Sequence, residues 1–122
     1  MILYITLGGI VGTLARYFVQ GWLQGPGIVL PRGTLLINIV GSFVLGFVMR
    51  LATGSTLISS DLRGALTIGF CGAFTTMSTF SYETVALLRG GDYWRAGLYA
   101  SGTIAGCLMA VAVGIGLAGR LL

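Results

Sequence analysis

The stretch Gly72-Ala73-Phe74-Thr75-Thr76-Met77-Ser78-Thr79-Phe80-Ser81 lies in the middle of an apolar segment running from about Leu62 to Leu88. Five of its ten side chains carry hydroxyls, at the depth where a membrane-spanning helix should be most apolar. Polar groups at that depth are costly unless they are buried in protein or line a polar path. The run therefore reads as a helix break or a wet route through the bilayer. Its segment also has length to spare, because 27 helical residues extend ~40 Å against a hydrocarbon core of ~30 Å. A break near Gly72–Thr75 uses that excess.

The rest of the chain supplies the membrane setting. Of 122 residues, 56% are hydrophobic and only 8% charged, with a mean hydropathy of +0.97. Soluble domains carry about 25% charged residues, so an all-α integral membrane protein is expected. Apolar segments fall at about Ile2–Leu23, Thr34–Thr53, Leu62–Leu88 and Trp94–Leu121, forming one four-helix transmembrane unit over residues 1–122. Pro26, Gly27, Pro31 and Gly33 break the first connection. Gly54–Asp61 is a polar second one, and Arg89-Gly90-Gly91-Asp92 a tight third. Period-two alternation is absent, which excludes barrel strands. No signal-peptide pattern is expected in the first segment, which lacks a basic leader.

The net charge of +4 comes with seven arginines scattered along the chain and no basic stripe, so nucleic acid is not an expected partner. Four crossings put Arg50, Arg63 and Arg120 on one side and Arg32, Arg89 and Arg95 on the other. Three against three leaves only Arg16 to orient the chain under the positive-inside rule. Insertion in both orientations, with pairing of opposed copies, is the expectation; the alternative is that a translocation factor or a bias from Arg16 fixes one orientation. Small-residue pairs at Gly8/Gly12, Ser42/Gly46 and Gly102/Gly106, the last continued by Ala110 and Gly114, favour close helix packing within or between subunits.

Several polar side chains lie within the spans. Asn38 and Ser42 share a face one turn apart. The Asn38 amide suits either glue between helices or donation to an anion. Arg16 reads as a snorkelling residue or a vestibule cation that concentrates anions. Glu83, the one acid well inside a segment, is open to pairing with an arginine or hydroxyls, or to proton handling. Tyr99, Thr103 and Cys107 recur every four residues and form a polar face on the fourth segment. Cys71 and Cys107 read first as small buried hydrophobes. With no histidine, a His-based metal site or proton shuttle is excluded. No nucleophile–base or carboxylate pair suggests an enzyme. Carbonyls freed at the break suit a hard cation such as Na+. Beyond it, Thr76, Thr79 and Phe80 face whatever path exists, and a phenylalanine edge stabilises an anion without trapping it.

Together these residues resemble the Fluc (CrcB) fluoride channel family over essentially the whole chain. The likeness rests on four marks. They are Gly8-Gly9-x-x-Gly12 with Arg16-Tyr17, Gly33-Thr34-Leu35 leading to Asn38, Gly41-Ser42-Phe43, and the Thr75–Ser81 run followed by Glu83. The resemblance implies an antiparallel, dual-topology homodimer of four-helix subunits in the bacterial inner membrane. It implies two fluoride pores and a central structural sodium ion held by the Gly72 and Thr75 carbonyls of both subunits. It places Asn38 as a donor to fluoride, Phe80 as a pore phenylalanine, and Arg16 at the vestibule. Tyr99, Thr103 and Cys107 fall on a polar track, with Thr76 and Thr79 near the path. Met77 departs from the pattern, standing where phenylalanine is common. The implied activity is passive export of cytoplasmic fluoride, conferring fluoride resistance. The alternative is a proton-coupled exporter like the small multidrug resistance family, which wants a carboxylate in the first helix. This chain has none there.

Overall fold

A computed structural model describes residues 1–122. It contains helices and no strand: α1 (Ile2–Leu23), α2 (Arg32–Gly54), α3 (Ser60–Gly64), a π-helical stretch (Ala65–Cys71), α4 (Gly72–Phe74), α5 (Met77–Arg89) and α6 (Tyr93–Gly119). Helices α1, α2 and α6 are each long and apolar enough to cross a membrane. The third span is made of two collinear-in-sequence pieces, residues 60–74 and α5, separated by Thr75 and Thr76 in extended conformation. The expected break is present, at the C-terminal end of the expected Gly72–Thr75 stretch.

The ends of the bundle sort as the four-crossing layout requires. The Met1 amino group lies 3.1 Å from Asp61, and the Leu122 side chain lies against Gly54, so both termini and the second connection share one end. At the opposite end Gly91 takes φ 78°, a value that glycine adopts freely, to turn α5 into α6. Asp92 caps α6 by accepting from the Arg95 N–H and also pairs with the Arg95 guanidinium at 2.8 Å.

The largest helix contact runs between α2 and α6. It is close because Gly46 meets the backbone of Val111 and Gly114 meets that of Phe43 and Phe47. Helix α1 lies along the π-helical stretch, with Gly8 and Gly12 against the backbone of Ala65 and Phe70. These small-residue pairs thus act within the subunit. Gly102 differs, with open space where a Cβ would stand.

The sequence pattern predicts ordinary α-helix over the whole first half of the third span, and this needs correction at Ala65–Cys71. A π turn widens the backbone locally. Here Gly69 sits against Ile5, Gly8 and Gly9, so glycines oppose each other on the two helices. Hydrophobic periodicity carries no mark of such a register change, because every residue of Ala65–Cys71 is apolar or small except Thr67.

Candidate functional site

Where the third span breaks, backbone groups lose their helical partners, and the chain replaces them from α2. The Thr76 N–H, which an unbroken helix would direct to Gly72, donates instead to Asn38 Oδ1 at 2.8 Å. Asn38 Nδ2 donates back to the Thr76 carbonyl at 3.1 Å. Both groups are buried. Thr76 also starts the next helix: its Oγ1 accepts from the Thr79 N–H at 3.2 Å and donates to Thr79 Oγ1 at 2.9 Å. Thr75 closes the helix before the break by donating from its hydroxyl to the Cys71 carbonyl at 2.8 Å.

This repair leaves two carbonyls over. No backbone N–H and no side chain donates to the Gly72 or Thr75 oxygen. Gly72 also has open space beside it. Two free peptide oxygens flanking a break are hard donors, and that donor set fits a small hard cation.

Beside the break lies a cleft of about 340 Å³ lined by Asn38, Ser42, Gly72, Thr75, Thr76, Met77, Phe80, Thr103 and Cys107, with Cys71 also on its wall. Most residues singled out in the sequence therefore meet in one place, drawn from α2, the third span and α6. Thr103 is only 5% exposed and its Oγ1 has no hydrogen-bond partner. Met77 is 71% exposed, so this side of the cleft lies open on the subunit surface.

Thr79, Tyr99 and Glu83 are not in that lining. Thr79 is engaged by the cap on Thr76. Tyr99 packs its ring on Phe80, with centroids 5.3 Å apart at 56°, and turns its hydroxyl toward Glu83 Oε2 at 3.5 Å. Glu83 Oε1 accepts from Thr34 Oγ1 at 2.6 Å, and Thr34 Oγ1 in turn accepts from Gln20 Nε2 at 3.2 Å. Of the partners open to Glu83, hydroxyls are the ones it takes. Gln20, Thr34, Tyr82 and Glu83 line a second cleft of about 430 Å³, also bounded by Gln24 and Leu87, toward the α5–α6 end. Arg16, one turn before Gln20 on α1, is half-buried and has neither an acidic partner nor a hydrogen bond.

Phe80, 7% exposed, lines the first cleft and packs on Tyr99, whose hydroxyl points to Glu83 in the wall of the second. Sequence reasoning missed Gln20 and the role of Thr34. An amide one turn after Arg16 and a threonine beside Gly33 were visible signals. Nothing in either spacing, however, points to a carboxylate more than forty residues away.

A cleft carrying several polar side chains, built on a broken helix within a bundle of apolar spans, marks a multi-pass membrane protein. Comparison with known proteins narrows the class. A family model described as CrcB-like protein, Camphor Resistance (CrcB), matches residues 3–115. The chain is 45% identical to the fluoride-specific ion channel FluC of Geobacter sulfurreducens, over 98% of each chain. It is 43% identical to the FluC of Chlorobium chlorochromatii, over 93% of this chain and 88% of that one. It is 44% identical to the FluC 1 of Methanosarcina acetivorans, over 93% and 86%. The chain belongs to the CrcB-like family.

Proposed function

We propose that this chain is the subunit of a fluoride-selective channel that lets cytoplasmic fluoride leave the cell passively across the bacterial inner membrane. The observation that carries the reading is the cleft at the break, where Asn38, Thr76, Phe80, Thr103 and Cys107 converge. Its chemistry suits a small anion whose hydration is hard to strip. The Asn38 amide uses one N–H on Thr76 and keeps a second, and the Thr103 hydroxyl is free to donate. The Phe80 ring offers a partially positive edge and no full charge to trap the ion. Relatives named as fluoride-specific channels over nearly their full length support the same reading. A proton-coupled exporter is less well supported, since α1 holds no carboxylate and Glu83 is engaged by Thr34 and Tyr99.

The working unit is an antiparallel homodimer with dual topology. The balanced arginines give no preferred orientation, and Met77 and the open side of the cleft leave a face for a partner to cover. The tryptophans favour opposed copies as well. Trp22 and Trp94 are both exposed at the end that holds the first and third connections, and the other end has none. Opposed copies would give each membrane interface its aromatic anchors. In that assembly the Gly72 and Thr75 carbonyls of both subunits would hold a sodium ion, whose positive charge would lock the two breaks together.

Growth tests the function in the cell. In a bacterium stripped of its own fluoride exporters, the chain should restore growth in millimolar-range fluoride at acid pH. A strain that stays as sensitive as the empty-vector control, with the protein in its membrane, contradicts the reading.

A further inference from the structure

Cys71 ends the π-helical stretch and Cys107 lies midway along α6, yet both line the 340 Å³ cleft, and the Met77 thioether lines it too. Both thiols are free. Filling space as small hydrophobes accounts for Cys71, which is 3% exposed. It does not account for Cys107, half-exposed in a wall shared with Asn38, Thr76 and Thr103. The unpartnered Thr103 hydroxyl, one turn before Cys107, needs a donor or acceptor supplied from within the cleft.

The donor set is selective. Three sulfur-bearing residues from three elements line this one cleft, with no histidine in the chain and no acid in the lining. Thiolate and thioether ligands favour soft ions, whereas a structural zinc site wants four nitrogen or sulfur ligands. We propose that this cleft binds one soft monovalent d10 cation, of the silver(I) or copper(I) class, through Cys107, Cys71 and Met77, and that the bound cation blocks permeation. The second half rests on the fluoride reading above; the first does not.

The chemistry balances without a co-reactant. A metal–sulfur bond forms at the more exposed Cys107, and the thiol proton passes to water in the cleft. One positive charge enters and one leaves, so the complex remains neutral at membrane depth. Cys71 and Met77 add sulfur lone pairs and lose nothing.

Silver nitrate is the probe, in chloride-free buffer, titrated calorimetrically into purified protein in detergent without fluoride. One silver ion per subunit should bind and be removed by excess small thiol. Cys107→Ser, Cys71→Ala and Met77→Leu should each weaken binding at least tenfold while eluting as the wild type does on gel filtration. Two ions per subunit, with each cysteine variant losing one, would mean independent thiols and overturn the site. So would unchanged binding in the Cys71→Ala/Cys107→Ser double variant. In liposomes, stoichiometric silver should slow wild-type fluoride efflux at least tenfold; efflux unchanged with silver bound overturns the block. Absence of efflux before silver is added contradicts the channel reading, while the detergent titration still decides the site.

Discussion

Asn38 holds both backbone polar groups of one residue: its Oδ1 accepts from the Thr76 N–H at 2.8 Å and its Nδ2 donates to the Thr76 carbonyl at 3.1 Å. A side-chain amide thus stands in for the neighbouring turns that the break removes. Asn38 also lines the cleft and has a second amide N–H beyond the one on Thr76, so the shape of the break and the polarity of the cleft both involve one side chain.

Asn38→Asp separates these contributions. The carboxylate can still accept from the Thr76 N–H, but the Thr76 carbonyl loses its donor and the cleft gains a negative charge. We expect fluoride flux to fall at least tenfold and stability to drop by about 1–3 kcal/mol, the usual cost of an unsatisfied buried polar group. Liposome flux and thermal unfolding in detergent read the two effects. Unchanged flux would remove Asn38 from the path.

Thr76 has a separable duty as the cap of α5. Thr76→Ala should cost about 1 kcal/mol through the lost hydroxyl acceptor, whereas Thr76→Ser should retain most of it. Equal unfolding temperatures for all three proteins would contradict the cap. The Asn38 clamp, made to backbone atoms, is expected to survive both changes.

Glu83 couples two helices through its two oxygens. Thr34→Val and Tyr99→Phe each remove one hydroxyl donor to it. Because both act on one carboxylate, their effects on stability should be non-additive, with a coupling of about 0.5–3 kcal/mol in a double-mutant cycle. Strict additivity would mean that the two hydroxyls do not share the acid.

How much of this was legible beforehand differs by residue. The break was readable because glycine, hydroxyls and excess length coincide between Gly72 and Ser81. Gathering of Thr103 and Cys107 at one wall was readable from a four-residue repeat. Tyr99 belongs to the same repeat, but its ring is captured by Phe80 and its hydroxyl by Glu83, contacts set by tertiary packing. The π turn at Ala65–Cys71 was not readable, since the close approach of Gly69 to Gly8 and Gly9 on α1 is a tertiary contact that leaves no mark in the hydrophobic pattern. The Asn38 amide was legible as polar but not as a clamp, because its partner is backbone, which every residue offers.

Met77 is where this chain departs from the pattern it otherwise follows. Its side chain is mostly exposed on the subunit, so Met77→Phe should be accommodated without repacking the core. Unfolding temperature should change little, because the side chain stands mostly exposed at the open side of the cleft, while fluoride flux should shift measurably. Loss of folding would show that the site is packed differently from the open cleft described here.

The central claim is most directly tested by efflux from liposomes loaded with potassium fluoride and followed by a fluoride electrode. On adding valinomycin, fluoride should leave rapidly, as an electrogenic current balanced by potassium, and liposomes loaded with potassium chloride should release almost none. Release that requires a proton gradient, or chloride loss as fast as fluoride loss, would contradict a fluoride-selective channel.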